Sequence, residues 1–234
     1  EGGASAAKFQ SYKAENLASR NSPAYWDTKK EKTRSQYSLF KKYDKFEKKH
    51  YKELYFYCKK KQIDFASTPF DIESVNYLNP LVKYFKIASA DINNLPLLKA
   101  VANKRKPVLL STGASFIKEI DLSIKYLKKN GCKDIAIMHC ILNYPTKDQN
   151  ANLNMIEDLK KRYSEHIIGY SDHTLPDKNM LNLISAYLKG ALIIEKHFTD
   201  NKKKAGNDHY HSMDKRDLKV FFKSYEKINI LLGE

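Results

Sequence analysis

The chain has 234 residues, 42% hydrophobic and 12% aromatic, enough to bury one substantial core of a large-sheet or barrel type. It holds no apolar run near the ~20 residues that a membrane span needs, and no charged-then-apolar leader over Glu1 to Gln10. The formal charge of +15 invites a polyanion, but the cations are nearly all Lys, with Arg only at 20, 34, 105, 162 and 216. Base and phosphate recognition favours Arg forks, so no nucleic-acid partner is expected; the charge reads as solvated surface whose field guides a small anionic substrate.

Apolar, β-rich runs alternate with amphipathic stretches along most of the chain. Strands are predicted at Ala6 to Phe9, Asp64 to Ser67, Tyr84 to Ala88, Pro107 to Ser111, Ile135 to His139, Ile167 to Tyr170 and Ala191 to Glu195. Between the first two, Ser11 to Lys61 departs from the rhythm: an excursion holding the single tryptophan, Trp26, then a Lys- and Tyr-rich helix. Ile117, Ile120, Ile124 and Leu127 recur at helical spacing, predicting a helix over Ile117 to Lys129 with Gly131 as its stop. A second helix is predicted over Lys178 to Lys189, closed by Gly190. Strands apolar on both faces and joined by helices imply a parallel sheet, in a doubly wound or (β/α)₈ arrangement. No linker interrupts residues 1–234, which read as one domain. Cys58, Cys132 and Cys140, odd in number and without CxxC spacing, read as small buried residues of a protein in a reducing cytoplasm.

The residues just after each strand carry the chemistry. "FASTPFD", "KIASAD", "LLSTGAS", "HCILNYPT", "GYSDHT" and "EKHFTD" place hydroxyls, carboxylates, amides and imidazoles at successive carboxyl ends, where parallel α/β folds build their sites. Each alone has a plainer reading: Ser-Thr-Gly is common turn chemistry, Asp172 could cap a helix, and a single histidine is more often a packing residue. Six in succession point to a shared pocket. His173 and His197, on consecutive strand ends, can approach one divalent ion (Mn²⁺, Mg²⁺, Co²⁺ or Zn²⁺) and leave positions open for substrate oxygens. Ser111 to Gly113, with Lys86 and Ser89, have the character of an anion cradle.

In this order, "AAKFQ", "FASTPFD", "FKIASAD", "LLSTGAS", "HCILNYPT", "IGYSDHT", "IEKHFTD" and "GNDHYHSMD" closely resemble the sialic acid synthase (N-acetylneuraminate synthase) family. That family includes the legionaminic and pseudaminic acid synthases and spore-coat polysaccharide relatives. The resemblance covers essentially the whole chain. It implies an α/β fold, a TIM (β/α)₈ barrel, and a synthase that condenses phosphoenolpyruvate with the aldehyde of an N-acetylated hexosamine, giving a nine-carbon 2-keto acid and phosphate. The implied ion is Mn²⁺, with Mg²⁺ or Co²⁺ as alternatives, on His173 and His197; Glu195 would orient water or the aldehyde oxygen beside it. By position, Lys8, Thr68, Lys86, Ser89, Ser111 and Ser171 would hold phosphoenolpyruvate. Gln10, Asp91, Tyr144 and Asp208 would face the acceptor sugar. Of the remaining histidines, His209 follows the family pattern and His211 reads equally as plain surface.

Departures set further expectations. The family's opening strand, with a catalytic glutamate, is absent, so about seven strands stand against the eight that close such a barrel. The C-terminal antifreeze-like domain, which reaches across a homodimer in full-length members, is absent too, and slow or no turnover is expected of this length. Leu142 falls where a small polar residue often sits, with Asn143 as a substitute, and Asp91 stands where glutamate is frequent. Two alternatives remain: another phosphoenolpyruvate-condensing barrel, or a catalytically incomplete anion-binding fragment.

Overall fold

The alternation of apolar runs and amphipathic stretches is realised in the computed structural model, which describes residues 2–29, 31–206 and 208–233. The order is β1 (Ala6–Ser11), α1 (Ala14–Leu17), α2 (Gln36–Tyr43), α3 (Lys48–Lys60), β2 (Asp64–Pro69), α4 (Ile72–Leu78), β3 (Phe85–Ile87) and α5 (Leu95–Ala102). Then come β4 (Val108–Ser111), α6 (Ile117–Lys129), β5 (Ile135–Cys140), α7 (Asn154–Arg162), β6 (Ile167–Asp172), α8 (Leu181–Leu188), β7 (Ile193–Lys196) and α9 (Lys215–Leu232). Each apolar run read from the sequence becomes a strand. β1 pairs with β2, β3 with β4 and β6 with β7, each in parallel, and the last five strands follow the order β3-β4-β5-β6-β7. This is the α/β barrel type, strand and helix repeating in the one direction that crossover helices allow.

Two compact units make up the chain, one spanning Ser5–Ala136 and the other running from Ile137 onward together with residues 2–4. The first centres on Phe85, Ile87, Leu98, Val101, Val108 and Leu110, each fully buried. Its α6 turns Ile120, Ser123, Ile124 and Leu127 inward and ends on Asn130, after which Gly131 takes φ +104°. Only a residue without a Cβ adopts that angle cheaply, which is why the helix stops there. The second unit is built round Ile137, Met138, Ile156, Leu159, Ile168 and Tyr170. Among the described residues no helix is long and apolar enough to cross a membrane.

Two expectations change. The Ser11 to Lys61 segment forms three helices, α1 to α3, where one was expected. Asp44 ends α2, and its carboxylate accepts from the Ala14 amide at 3.0 Å and from Lys13 Nζ at 3.1 Å, which draws the chain out of the helical path. Glu47 and His50 then start α3 with a reciprocal cap, and Trp26 is buried with its indole N–H directed at the carbonyls of Glu31 and Thr33. Helix α8 begins at Leu181 rather than Lys178. The Asp177 carboxylate takes the amides of Asn179 and Leu181 in a tight turn, with Met180 at φ 54°, and helix cannot start inside that turn.

Gly169 in β6 is required by space. A Cβ built there would lie 2.3 Å from Met138 Sδ and 2.8 Å from the Ile193 carbonyl oxygen. The thioether can move, but the strand backbone cannot. Gly169→Ala is expected to cost roughly 1–3 kcal/mol by overpacking, read as a lower thermal unfolding midpoint; an unchanged midpoint would show that the β6–β7 pair can yield.

Candidate active site

Strand register decides which polar side chains meet. In the β6–β7 pair Ser171 faces Glu195 and Asp172 faces Lys196, and alternation sends the two pairs to opposite faces of the sheet. On one face the Ser171 hydroxyl donates to Glu195 Oε1 at 3.1 Å. On the other, Lys196 Nζ lies 2.6 Å from Asp172 Oδ2, with both side chains 2% exposed. Asp172 therefore does not cap a helix. It accepts from the Tyr170 hydroxyl at 2.8 Å and from the Thr174 amide and hydroxyl at 3.0 Å each, while Lys196 also donates to the Thr174 carbonyl. Burial pushes the Asp172 carboxyl up, but Lys196 and these hydrogen bonds outweigh it and hold the group below the usual carboxylate range. Burial draws Lys196 down from the ordinary ammonium value, with Asp172 pulling the other way.

His173 follows β6 directly and is buried. Its Nδ1 lies 2.8 Å from the Ile141 carbonyl oxygen, which only an N–H can satisfy, so Nδ1 carries the proton and Nε2 is left as the electron-pair donor. A parallel bridge between Thr146 and Thr174 brings the loop after β5 alongside, and the Tyr144 ring sits 4.1 Å from the His173 ring. The His197 ring centre is 5.3 Å from that of His173. The two imidazoles singled out by their motifs are thus neighbours, with Tyr144 against both.

A third imidazole joins them. A second parallel bridge, Phe198 to Met213, is sealed by the Met213 amide on the His197 carbonyl and the Thr199 amide on the Met213 carbonyl, both 2.8 Å. It folds the segment around "DHYHSMD" back against the end of β7. His211 is consequently 0% exposed, not a surface residue, and its ring lies 5.2 Å from that of His197. Asp208 stands between them, one carboxylate oxygen 3.7 Å from His197 Nδ1 and the other 3.8 Å from His211 Nε2. Burial, then the neighbouring His197, brings His211 down to about 4, and burial lowers His173 as well. Both rings are neutral near pH 7, the form in which imidazole binds a metal. His197, Asp208 and His211 offer ligand atoms that all lie within 4.8 Å of one another, which fits a divalent ion. His209 has a different task, its Nδ1 lying 2.8 Å from the Thr199 hydroxyl. His139 is a satisfied core residue, its Nε2 on the Ala151 carbonyl at 2.8 Å and its ring stacked on Tyr170.

The first unit carries the other candidates. In the β1–β2 register Lys8 faces Ala66 and Gln10 faces Thr68, so Lys8, Gln10 and Thr68 share one face. Phe9 against Phe65 and Ser11 against Ser67, the hydroxyls 2.7 Å apart, occupy the other. In the β3–β4 pair Lys86 faces Leu109, which puts Lys86 and Ser111 on a common face, both buried. Ser89 Oγ accepts the Gly113 amide at 2.9 Å, tying the loops after β3 and β4 together. Thr68 Oγ1, Ser111 Oγ and Asp91 Oδ2 are buried without a hydrogen-bond partner among the described residues. Hydroxyls left in that state suit a ligand's oxygens. Burial raises the Asp91 carboxyl against the opposing hydrogen bond from Asn94. Asn143 is exposed, beside Tyr144. A cleft of about 450 Å³ in this unit, lined by Tyr12, Lys42 and Tyr51 among others, holds Gln10 and none of the other candidates.

Comparison with known proteins is consistent along the whole chain. The model of the NeuB family matches residues 1–234. An N,N'-diacetyllegionaminic acid synthase of Campylobacter jejuni is 38% identical over 100% of this chain and 70% of its own length. An uncharacterized protein of Methanocaldococcus jannaschii is 42% identical over 99% of this chain and 64% of its own, so the present chain spans less than two thirds of that relative. Among solved structures, an N-acetylneuraminic acid (sialic acid) synthetase from Leptospira borgpetersenii, in complex with citrate, superposes with a TM-score of 0.86 at 34% identity, covering 100% of this chain and 76% of that one.

Proposed function

The chain belongs to the NeuB family, and from that premise we propose that it is the barrel of a sialic acid-type synthase, joining phosphoenolpyruvate to an N-acetylated hexosamine aldehyde. The observation that carries the reading is the convergence of His173, His197 and Tyr144 after consecutive parallel strands. Lys8 and Lys86 would neutralise the phosphate and carboxylate of phosphoenolpyruvate, while Thr68, Ser89 and Ser111 would donate hydrogen bonds to their oxygens and Ser171, whose hydroxyl donates to Glu195, would serve as an acceptor. The enol carbon attacks the aldehyde carbon, water adds to the cationic carbon that results, and phosphate leaves. Glu195, which accepts from the Ser171 hydroxyl, would take the proton of that water. Gln10, Asp91, Asn143, Tyr144 and Asp208 would fix the sugar's orientation. Held by His173 and His197, a divalent ion, Mn²⁺ in this reading, would supply Lewis-acid polarisation of the aldehyde oxygen.

Cys58, Cys132 and Cys140 are buried; a reducing cytoplasm and a homodimer belong to the same proposal. The test measures phosphate release with phosphoenolpyruvate, Mn²⁺ and a panel of N-acetylmannosamine-type sugars, beside calorimetric titration of phosphoenolpyruvate alone. Slow release above the sugar-free blank is expected with one sugar, together with measurable phosphoenolpyruvate binding. Absence of both would overturn the reading. Binding without release from any sugar would instead favour an anion-binding protein.

A further inference from the structure

We propose that His211 is a third imidazole ligand of the divalent-ion site, joining His197 and His173, with the Asp208 carboxylate as an oxygen ligand between His197 and His211. The inference rests on the metal reading above and deepens it.

Burial and valence carry the argument. His211 is 0% exposed, and neither ring nitrogen has a hydrogen-bond partner among the described residues. A buried imidazole forfeits its hydration, and native structures repay that with a partner for each nitrogen; an orphaned one marks an ordered water or an ion. A residue wanted only for packing would be met more cheaply by an apolar ring. The ring packs against Tyr144, His197 and Tyr210, and Asp208 stands at its Nε2 edge.

Spacing points the same way. The separations of 3.7 Å and 3.8 Å from Asp208 to His197 and His211 exceed a hydrogen bond. The ligand atoms of His197, Asp208 and His211 all lie within 4.8 Å of one another, close enough for one ion to be held by all three. The placement of His211 is fixed by backbone, through the Met213 and Thr199 amides of the Phe198 to Met213 bridge and through the Ser212 hydroxyl on the Asp208 carbonyl at 2.6 Å. A site held this way is organised before any ion arrives.

The measurement is Mn²⁺ binding to the chain, with pulsed electron paramagnetic resonance counting directly coupled imidazole nitrogens. Three are expected in the parent chain. His211→Ala and His211→Asn are expected to show two and to bind Mn²⁺ at least about 10-fold more weakly, the lower end of what even outer-shell partners contribute. Two coupled imidazoles in the parent, or unchanged affinity in folded variants, would overturn the assignment; the parent spectrum decides even if both variants misfold. If His173→Ala and His197→Ala lose the ion while His211→Ala binds as the parent does, only the role of His211 falls. If the parent binds no Mn²⁺, the metal reading falls and this assignment with it.

Discussion

Replacing His197 with alanine is expected to abolish sugar-dependent phosphate release and to weaken Mn²⁺ binding by at least about 100-fold, since loss of an outer-shell partner alone costs about 10–100-fold. The same is expected of His173→Ala, but the two differ in what else they disturb. The His197 side chain is 25% exposed at a strand end, so the space its removal leaves is open to water. His173 is buried and satisfies the Ile141 carbonyl. Its loss orphans that carbonyl and opens a void against Tyr144, so a lower unfolding midpoint should accompany the loss of activity. Steady-state kinetics, Mn²⁺ titration and thermal melts on both variants separate these effects. Release at the parent rate in either variant would remove that histidine from the site.

Lys196→Met should produce the largest loss of stability. Removing the ammonium leaves the Asp172 carboxylate buried and uncompensated, at a cost of about 3–5 kcal/mol. For a chain of this size that is a fall of roughly 6–20 °C in the unfolding midpoint. The pH dependence has a definite sign. Asp172 is held below the usual carboxylate range in the fold, so its contribution is present above the unfolded carboxylate value and is lost as pH falls through the folded one. In Lys196→Met that advantage is gone, and the gap between variant and parent should be widest near neutral pH and narrow in acid. The double variant Asp172→Leu with Lys196→Met should be less destabilised than the single one. A single variant as stable as the parent at pH 7 would show that the Tyr170 and Thr174 hydrogen bonds suffice for the charge.

Legibility in the sequence tracks the range of the interaction. Helix α6 is legible to the residue because its apolar spacing and the glycine after it are local signals. Strands are legible because each is a short run with at least one apolar face flanked by turn chemistry, even where Lys8, Gln10 and Lys86 interrupt it. Helix α8 reads too long because Asp177 spends its carboxylate on a turn, a choice invisible to periodicity. The break between α2 and α3 escapes the sequence for a similar reason: Asp44 is claimed by Ala14 and Lys13, about thirty positions earlier in the chain.

For the site, sequence alone determined the inventory. It placed His173 and His197 after consecutive strands and hydroxyls after the earlier ones, because the carboxyl ends of parallel strands follow from element order without knowledge of the packing. Only the tertiary structure decided partnership. Strand register gave Lys196 to Asp172 and Ser171 to Glu195 on opposite faces, and a one-residue slip would have exchanged those faces. His211 could not be told from a surface residue by its neighbours "HYHS". The bridge between Phe198 and Met213 buried it beside His197, since contacts between segments more than a dozen residues apart depend on how the backbone returns, which local composition does not encode.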